Sequence, residues 1–407
     1  VRSVTEALLV VAAATFSGCS MTLDFDSLGS SPPVTELDGG SHAQDGATDS
    51  SGSEALPIDC SAPENVKHPA CVPPRHQSAG SVGAGIALPF GSMGPIIGSG
   101  FLGGAALVLA VDGPDDEGGI LRVDLASGDR TLESGFLKDL AYQTHERGSG
   151  PSLAHTWDVA PLSDGSWIAA QHVVPRSLVR IDPATGDRSQ ELSWSSLACG
   201  QGPLADLRPL MGSMPHLEVD ATDGMLWLVQ NPSGTAAGLV RWQGGDCRVV
   251  AYHEQESSEF DVGEGPRALG NVRDMRVLGD ALWILSGHVP GVVRLDLLTG
   301  NRTVVSRSDS PQIGTGSSKI GVHSLAPAPD RIWTVGPLSS SLFALTKVSP
   351  TSGDREGHRP TFGPILDSYA SVSQVWLDPP SPLVVMEVDD AILLFDPVTD
   401  NSNIVSF

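Results

Sequence analysis

Lysine is nearly absent, aromatic residues make up only 5% of the chain, and no apolar run is long enough to cross a bilayer as a helix. Each shortage excludes something. With 24 Lys and Arg against 48 Asp and Glu, the formal charge is −24, the opposite of the basic face that nucleic acid requires. Such a chain prefers cationic or neutral partners, or divalent ions. There are five cysteines and no two stand at CxxC spacing, which excludes a zinc knuckle. No Gly-x-Ser-x-Gly elbow occurs, and no coupled Ser/His/Asp set can be drawn. No βαβ context surrounds the paired glycines, so a phosphate-cradling loop is excluded as well.

What is abundant is turn. The chain has 46 Gly and 31 Pro among 407 residues, a composition suited to many short strands. One phrase recurs. Ile120-Leu-Arg-Val-Asp-Leu-Ala-Ser-Gly-Asp-Arg130 returns as Leu178-Val-Arg-Ile-Asp-Pro-Ala-Thr-Gly-Asp-Arg188 and as Val292-Val-Arg-Leu-Asp-Leu-Leu-Thr-Gly-Asn-Arg302. Weaker copies start at Leu239, Leu345 and Leu393. A period of roughly 45–60 residues is that of a four-stranded propeller blade. The expected fold is all-β: a six-bladed propeller with blades at 83–135, 148–195, 203–253, 266–307, 317–358 and 363–407. The first blade is expected to pack on the sixth, with no strand borrowed from the N-terminus.

In the copy from 154 to 194, strands are expected over 156–160, 166–170, 177–181 and 188–193. Asp164-Gly165 supplies a tight hairpin. In the second hairpin Pro183 presets φ, Gly186 takes the left-handed position and Asp182 binds turn amides. Arg188 is expected to pair with Asp182 across the hairpin. These residues thus have a structural role that makes catalysis unnecessary to explain them. Trp167, Trp227, Trp283 and Trp333 recur on the second strands and read as packing between blades rather than as ligand stackers. Gly148-Ser-Gly-Pro151, Gly200-Gln-Gly-Pro203 and Gly263-Glu-Gly-Pro266 are connectors between blades, where glycine lets the chain double back.

The N-terminal part is read as an export and tethering device. An apolar run over 7–16 ends in Phe16-Ser-Gly-Cys19, which resembles a bacterial lipobox with Cys19 as the acylated residue. Residues 1–19 are expected to be the signal and 20–59 an acidic Ser/Gly/Asp linker without a core of its own. Residues 60–82 are a lead-in flanked by Cys60 and Cys71, which are expected to form a disulfide. Ser20 after the Cys favours the outer membrane or cell surface of a bacterial envelope. Cys199 and Cys247 are placed by the blade model at opposite ends of neighbouring outer strands, too far apart to bond.

These residues are similar to bacterial NHL-type and gluconolactonase-like propeller repeats over 83–407. That resemblance implies the fold and leaves activity open, because such propellers host hydrolases, lyases and binding scaffolds. In lactonase-like members an acidic metal ligand lies at the Gly-Glu-Gly-Pro entry of the first blade. Here that entry is Gly83-Ala-Gly-Ile86, while Glu264 sits in a Gly-Glu-Gly-Pro at the fourth, where sister copies have Ser149 and Gln201. Glu264 therefore reads as a solvent residue.

Ligands of propellers meet the central channel where inner strands converge. The candidates there are His155, Asp158, His216, Asn271, Arg273, Asp274 and His323. Peptidyl-hydroxyglycine lyases of similar architecture hold a metal with histidines near such positions, and His155, His216 and His323 are the residues to compare. His216 falls on the opposite strand parity from the other two. A second acidic set, Asp112, Asp115, Asp116 and Glu117 with Glu387, Asp389 and Asp390, would face across the junction of blades 1 and 6. Calcium or zinc are the cofactors these sets would take, and no cofactor is required by the sequence. The leading expectation is a lipid-anchored monomeric propeller binding a protein or glycan partner. The alternatives are a metal-dependent hydrolase or lyase at the channel mouth and a structural envelope protein.

Overall fold

The computed structural model describes residues 84–86, 96–101, 106–112, 118–125, 127–138, 143–171, 177–193, 199, 216–220, 222–230, 236–254, 261–309, 311–316, 320, 323–339, 342–358, 372–377, 384–388, 391–396 and 401–406. The chain divides into two units, Val1–Leu56 and Pro57–Phe407, and every described residue belongs to the second. Cys19, Cys60 and Cys71 lie outside the described residues, as do Asp115, Asp116, Glu117, Asp389 and Asp390.

The described chain is a β-propeller of antiparallel sheets, each a simple meander. The first sheet holds β1 (Ile96–Phe101), β2 (Ala106–Asp112), β3 (Gly118–Asp124), β4 (Arg130–Lys138) and β5 (Thr144–Arg147). Next come β6 (Thr156–Pro161), β7 (Trp167–Gln171), β8 (Ser177–Ile181) and β9 (Arg188–Ser193). The third sheet is β10 (Leu217–Val219), β11 (Met225–Gln230), β12 (Ala236–Gln243) and β13 (Asp246–Glu254). The fourth is β14 (Val272–Leu278), β15 (Ala281–Ser286), β16 (Gly291–Asp296) and β17 (Arg302–Arg307). The fifth is β18 (Ser324–Pro327), β19 (Ile332–Ser339), β20 (Leu342–Val348) and β21 (Arg355–His358). The last is β22 (Val372–Leu377), β23 (Val384–Val388), β24 (Ala391–Asp396) and β25 (Asn401–Ser406).

Five sheets are thus four-stranded blades, and the expectation of six such blades is corrected: the first sheet carries a fifth strand. The reason is local. Arg147 on β5 bonds Glu133 Oε2 on β4 (2.7 Å) and reaches on to the Pro183 carbonyl in the second sheet's turn (2.8 Å). The connector is thereby drawn into the ladder.

The core is a series of seams between neighbouring sheets. Val108, Ala110 and Ile120 pack with Val159, Trp167 and Val179 across the first seam. Leu226 and Leu239 pack with Met275 and Ile284 across the third. Ile392 on β24 joins Leu107, Leu109 and Leu121, so the last sheet packs against the first. Trp167, Trp283 and Trp333 are all buried, as packing residues should be. They do not all face one way, however. Trp167 packs toward the first sheet, whereas Trp283 packs with Leu325 and Ile332 of the fifth.

The two sequence repeats turn out to be halves of one clasp. In the Gly-x-Gly connector the middle residue donates its N–H to the turn carboxylate or amide of the same sheet: Ala84 to Asp129, Ser149 to Asp187, Glu264 to Asn301 and Thr315 to Asp354, each at 2.7 Å. The next turn residue, Arg130, Arg188, Arg302 or Arg355, returns its N–H to the middle residue's carbonyl at 2.7–2.8 Å. The glycines are required by this approach. Gly150 has φ +117°, and a Cβ there would collide with the Arg188 carbonyl. Glu264 gives only its backbone to the clasp and its side chain is exposed.

The expected Arg188–Asp182 pair is not formed. Asp182 Oδ1 accepts from the Ala184 N–H (2.8 Å). Arg188 instead donates to the Pro151 carbonyl (2.6 Å), the Arg147 carbonyl (3.0 Å) and Ser134 Oγ (3.0 Å). Arg302 and Arg355 do the same on their own connectors. The guanidinium fork matches converging carbonyls better than a carboxylate already occupied by turn amides.

Cys199 and Cys247 are disulfide-bonded, with Cα atoms 4.9 Å apart, which corrects the expectation that they were too distant. Cys199 does not end an outer strand. It lies beyond β9, in the connection that carries it to the start of β13.

Candidate binding site at the channel mouth

The inner strands β6, β10, β14, β18 and β22 follow one another as neighbours, and one register position repeats along them. Asp158, His216, Asp274 and Ser324 each stand directly before a buried apolar residue: Val159, Leu217, Met275 and Leu325. Asp158 Oδ2 accepts the Leu217 N–H (3.0 Å), and Asp274 Oδ2 accepts the Leu325 N–H (2.9 Å). Ser324 donates its hydroxyl to Asp274 (2.5 Å) and accepts the Val375 N–H (3.2 Å). Each of these side chains therefore ties its strand to the next by satisfying a buried backbone donor. His216 Nε2 lies 3.2 Å from the Val272 carbonyl. A carbonyl only accepts, so this nitrogen carries the proton.

Two residues further on, Glu218 and Arg276 complete a buried polar belt. Arg276 Nη1 lies 2.9 Å from Glu218 Oε1 and 3.1 Å from Asp274 Oδ1. One guanidinium thus faces three carboxyl groups on three strands. Burial pushes the Asp158 carboxyl up to about 8, although Arg276 and the Leu217 N–H pull it down. Burial likewise pushes Glu218 up to about 7 against the pull of Arg276. Burial alone would lower the proton affinity of Arg276, but Asp274, Glu218 and Asp158 more than offset it and raise it. Burial holds His216 below the usual imidazole range and so keeps it neutral.

Of the seven mouth candidates, Asp158, His216 and Asp274 fall in this belt. His155, Asn271 and His323 are exposed just before the inner strands, and Arg273 is exposed at the start of β14. His155 and Asn271 occupy matching places and both have φ of 56°. This left-handed backbone is commoner for Asn and His than for most side chains. The three histidines compared with lyase metal ligands are not gathered together. Among the described residues no group of three or more His, Cys, Asp or Glu is arranged to hold a metal ion. Asp112 ends β2 and Glu387 lies on β23.

Glu218, Arg276 and Ser324 were not foreseen from sequence. Aligning the inner strands by their apolar pairs would have shown Glu218 and Arg276 at equal register on adjacent blades. An open groove of roughly 530 Å³ lies at the opposite end of the third and fourth sheets, lined by Asp220, Arg241, Cys247, Arg248 and Leu297 among others. Its Arg241 is already bonded to Asp220 and Thr222.

No protein-family model and no curated protein matches the chain. Among solved structures it is similar to a nidogen/laminin complex, with 12% identity and a TM-score of 0.45 over 74% of this chain and 92% of that one. It is also similar to puromycin hydrolase, with 13% identity and a TM-score of 0.43 over 79% of this chain and 57% of that one. The tricorn protease gives 11% identity and a TM-score of 0.43, over 76% of this chain and 26% of that one. At this level of similarity no activity or partner carries over.

Proposed function

We propose that the chain is an exported, lipid-anchored propeller of the NHL type that binds a protein partner on the face where connections enter the inner strands. One observation carries this reading. At that end the groups best suited to chemistry, Asp158, Asp274 and Ser324, are spent on backbone N–H groups of neighbouring strands. His155, Asn271, Arg273 and His323 beside them are exposed. Photo-crosslinking residues placed at Asn271 and at Leu298 test it in whole cells. The register of β14 to β17 puts these positions at opposite ends of the sheet, and Leu298 is 85% exposed. A defined protein adduct from position 271 and none from 298 is expected. Equal labelling from both, or a glycan adduct alone, would overturn the protein-partner reading. Changing Cys19 to Ser is expected to release the chain from membranes, and continued sedimentation with membranes would remove the anchor.

A second reading, a hydrolase or lyase working by acid–base chemistry, is favoured by the belt itself. Carboxyls held at about 8 and about 7 keep protons near neutral pH, as a general acid must. Asp158→Asn and Glu218→Gln would abolish turnover on that reading and leave partner capture intact on the first.

A further inference from the structure

Arg188, Arg302 and Arg355 hold three matching junctions between sheets, and one of the three is built differently. At two of them the preceding sheet supplies a serine from its outer strand. Ser134 on β4 donates to the Gly186 carbonyl (2.6 Å) and accepts from Arg188 (3.0 Å). Ser306 on β17 donates to the Gly353 carbonyl (2.7 Å) and accepts from Arg355 (3.0 Å). Both serines stand beside a slip in pairing, opposite Ile120 and Val292. The residue at that register on β13, opposite Leu239, is Ala251. It has no hydroxyl, and Arg302 turns to the Gly300 carbonyl itself (3.2 Å).

Two residues beyond Ala251 stands His253. It is 3% exposed, and its Nδ1 has no hydrogen-bond partner among the described residues. It lies opposite Ala237 in the ladder and so shares the face of Ala237 and Ala251. Those alanines pack with Ala268, Leu269 and Val289, so the imidazole is held in an apolar seam between the third and fourth sheets. The connector is bound to the same stretch of β13. Tyr252 and Val262 exchange both backbone bonds, at 3.1 and 3.0 Å, and Arg302 caps the Val262 carbonyl (3.1 Å). Arg302 is thereby one bonded pair away from His253.

The charged groups around the ring are Arg302 at the start of β17, Arg267 and Asp261 in the connector, and His288 between β15 and β16. Glu254 follows on β13 and by alternation lies on the other face. Three of the four neighbours are bases, so the surroundings oppose an added proton. Burial first, and then the Arg302 charge, lowers the His253 pKa from 6.5 to about 4.

We propose that His253 is an acid-sensitive latch: protonation of its ring frees the connector over 262–268 from β13 and opens the junction between the third and fourth sheets. An imidazolium there would be a buried cation with no acceptor at Nδ1, beside a guanidinium already spent on carbonyls. Opening the junction hydrates both. A histidine that binds its proton less well when folded loses stability as pH falls. The junction is therefore fully held above about pH 6.5 and weakens from there down to about pH 4. The connector runs on to Asn271 at the channel mouth, so acidity would reach the mouth through it. The latch goes beyond the partner-binding reading and does not depend on it.

Hydrogen exchange of the full chain at pH 7 and pH 5, corrected for the intrinsic pH dependence of amide exchange, tests the latch. The next junction is the control, because Arg307 and Ile313 exchange the same two bonds, both at 3.1 Å, with Ser306 in place and Ser308 at the position of His253. Between pH 7 and pH 5, protection of the Tyr252 and Val262 amides is expected to fall about 20-fold relative to those of Arg307 and Ile313. His253→Gln does not titrate and is expected to keep one ratio at both pH values. Ala251→Ser, which restores the hydroxyl of the sister junctions, is expected to raise protection at Tyr252 at both. An equal pH response at the two bridges overturns the latch, as does a slope that survives in His253→Gln. Should that variant not fold, the ring signals of His253 in the wild-type chain decide. They are expected to remain those of a neutral imidazole down to pH 5. Protonation near pH 6.5 with the Tyr252 amide still protected overturns the latch.

Discussion

Replacing Asp158 by Asn converts the buried belt into a measurable pH dependence. Asp158 is buried, and its ordinary value of 3.8 is pushed up to about 8 in the folded chain, by burial first and by Glu218 and Asp274 in addition. An acid whose folded pKa lies above its unfolded one binds more protons when folded. Its stability contribution is therefore complete below about pH 4 and is lost as pH climbs to about 8. At about 1.4 kcal/mol per pH unit the whole window is worth about 6 kcal/mol at its limit. Part of it is shared with Glu218, which titrates in the same belt. Asn does not titrate, so the variant lacks this slope. It carries a fixed cost instead. Both carboxyl oxygens accept N–H bonds, from Val159 and Leu217, and the amide can accept only one, a loss of about 1–3 kcal/mol. The variant should thus be less stable than wild type at pH 4.5, equal to it at about pH 5 to 6, and more stable by several kcal/mol at pH 8.5. Urea unfolding of the full chain across this range measures the difference. Parallel stability curves for the two proteins would show that Asp158 is charged in the fold and refute the reasoning.

Arg302→Ala should cost about 3–5 kcal/mol in urea unfolding, because the carbonyls of Val262, Gly263, Pro266 and Gly300 lose a buried charged donor; Arg302→Lys should recover little of it, since an ammonium lacks the fork. Gly150→Ala should cost about 2–4 kcal/mol, through a positive φ and a Cβ driven onto the Arg188 carbonyl, and a wild-type melting temperature would contradict the clasp. Cys247→Ser opens a bridge spanning 48 residues, which should lower stability by about 4 kcal/mol on loop entropy; thiol titration of the unfolded parent, showing no free thiol at either position, checks that the bond exists. Glu218→Gln should remove a pH slope that ends at about 7, read in the same unfolding series.

Much of this was legible in the chain. The strands expected for the second sheet agree with β6 to β9 within a residue or two, since alternation and Gly-rich turns are local properties. The turn residues Asp182 and Gly186 behave as turn chemistry requires, with Gly186 at φ 77°. The partner of Arg188 was not legible. Its carbonyls come from Pro151 and Arg147, 37 and 41 residues away, and no local rule identifies an acceptor at that range. The Cys199–Cys247 bond failed for the same reason, because it depends on the path of a connection and not on strand order. At the mouth, their place at the entry to the inner strands marked out Asp158 and Asp274. That they would be spent on Leu217 and Leu325 depended on how neighbouring inner strands align.

By itself the sequence determined a repeating β unit, its hairpins and the residues that repeat, because period, turn chemistry and burial of alternate side chains act over a few residues. The tertiary structure alone decided which repeats bind one another. It joined the glycine connector to the arginine turn, gathered three carboxyls around Arg276, and left Arg273 exposed at the rim. Those outcomes depend on strands far apart in the chain meeting at hydrogen-bonding distance, where burial and neighbouring charge settle the protonation and role of each group.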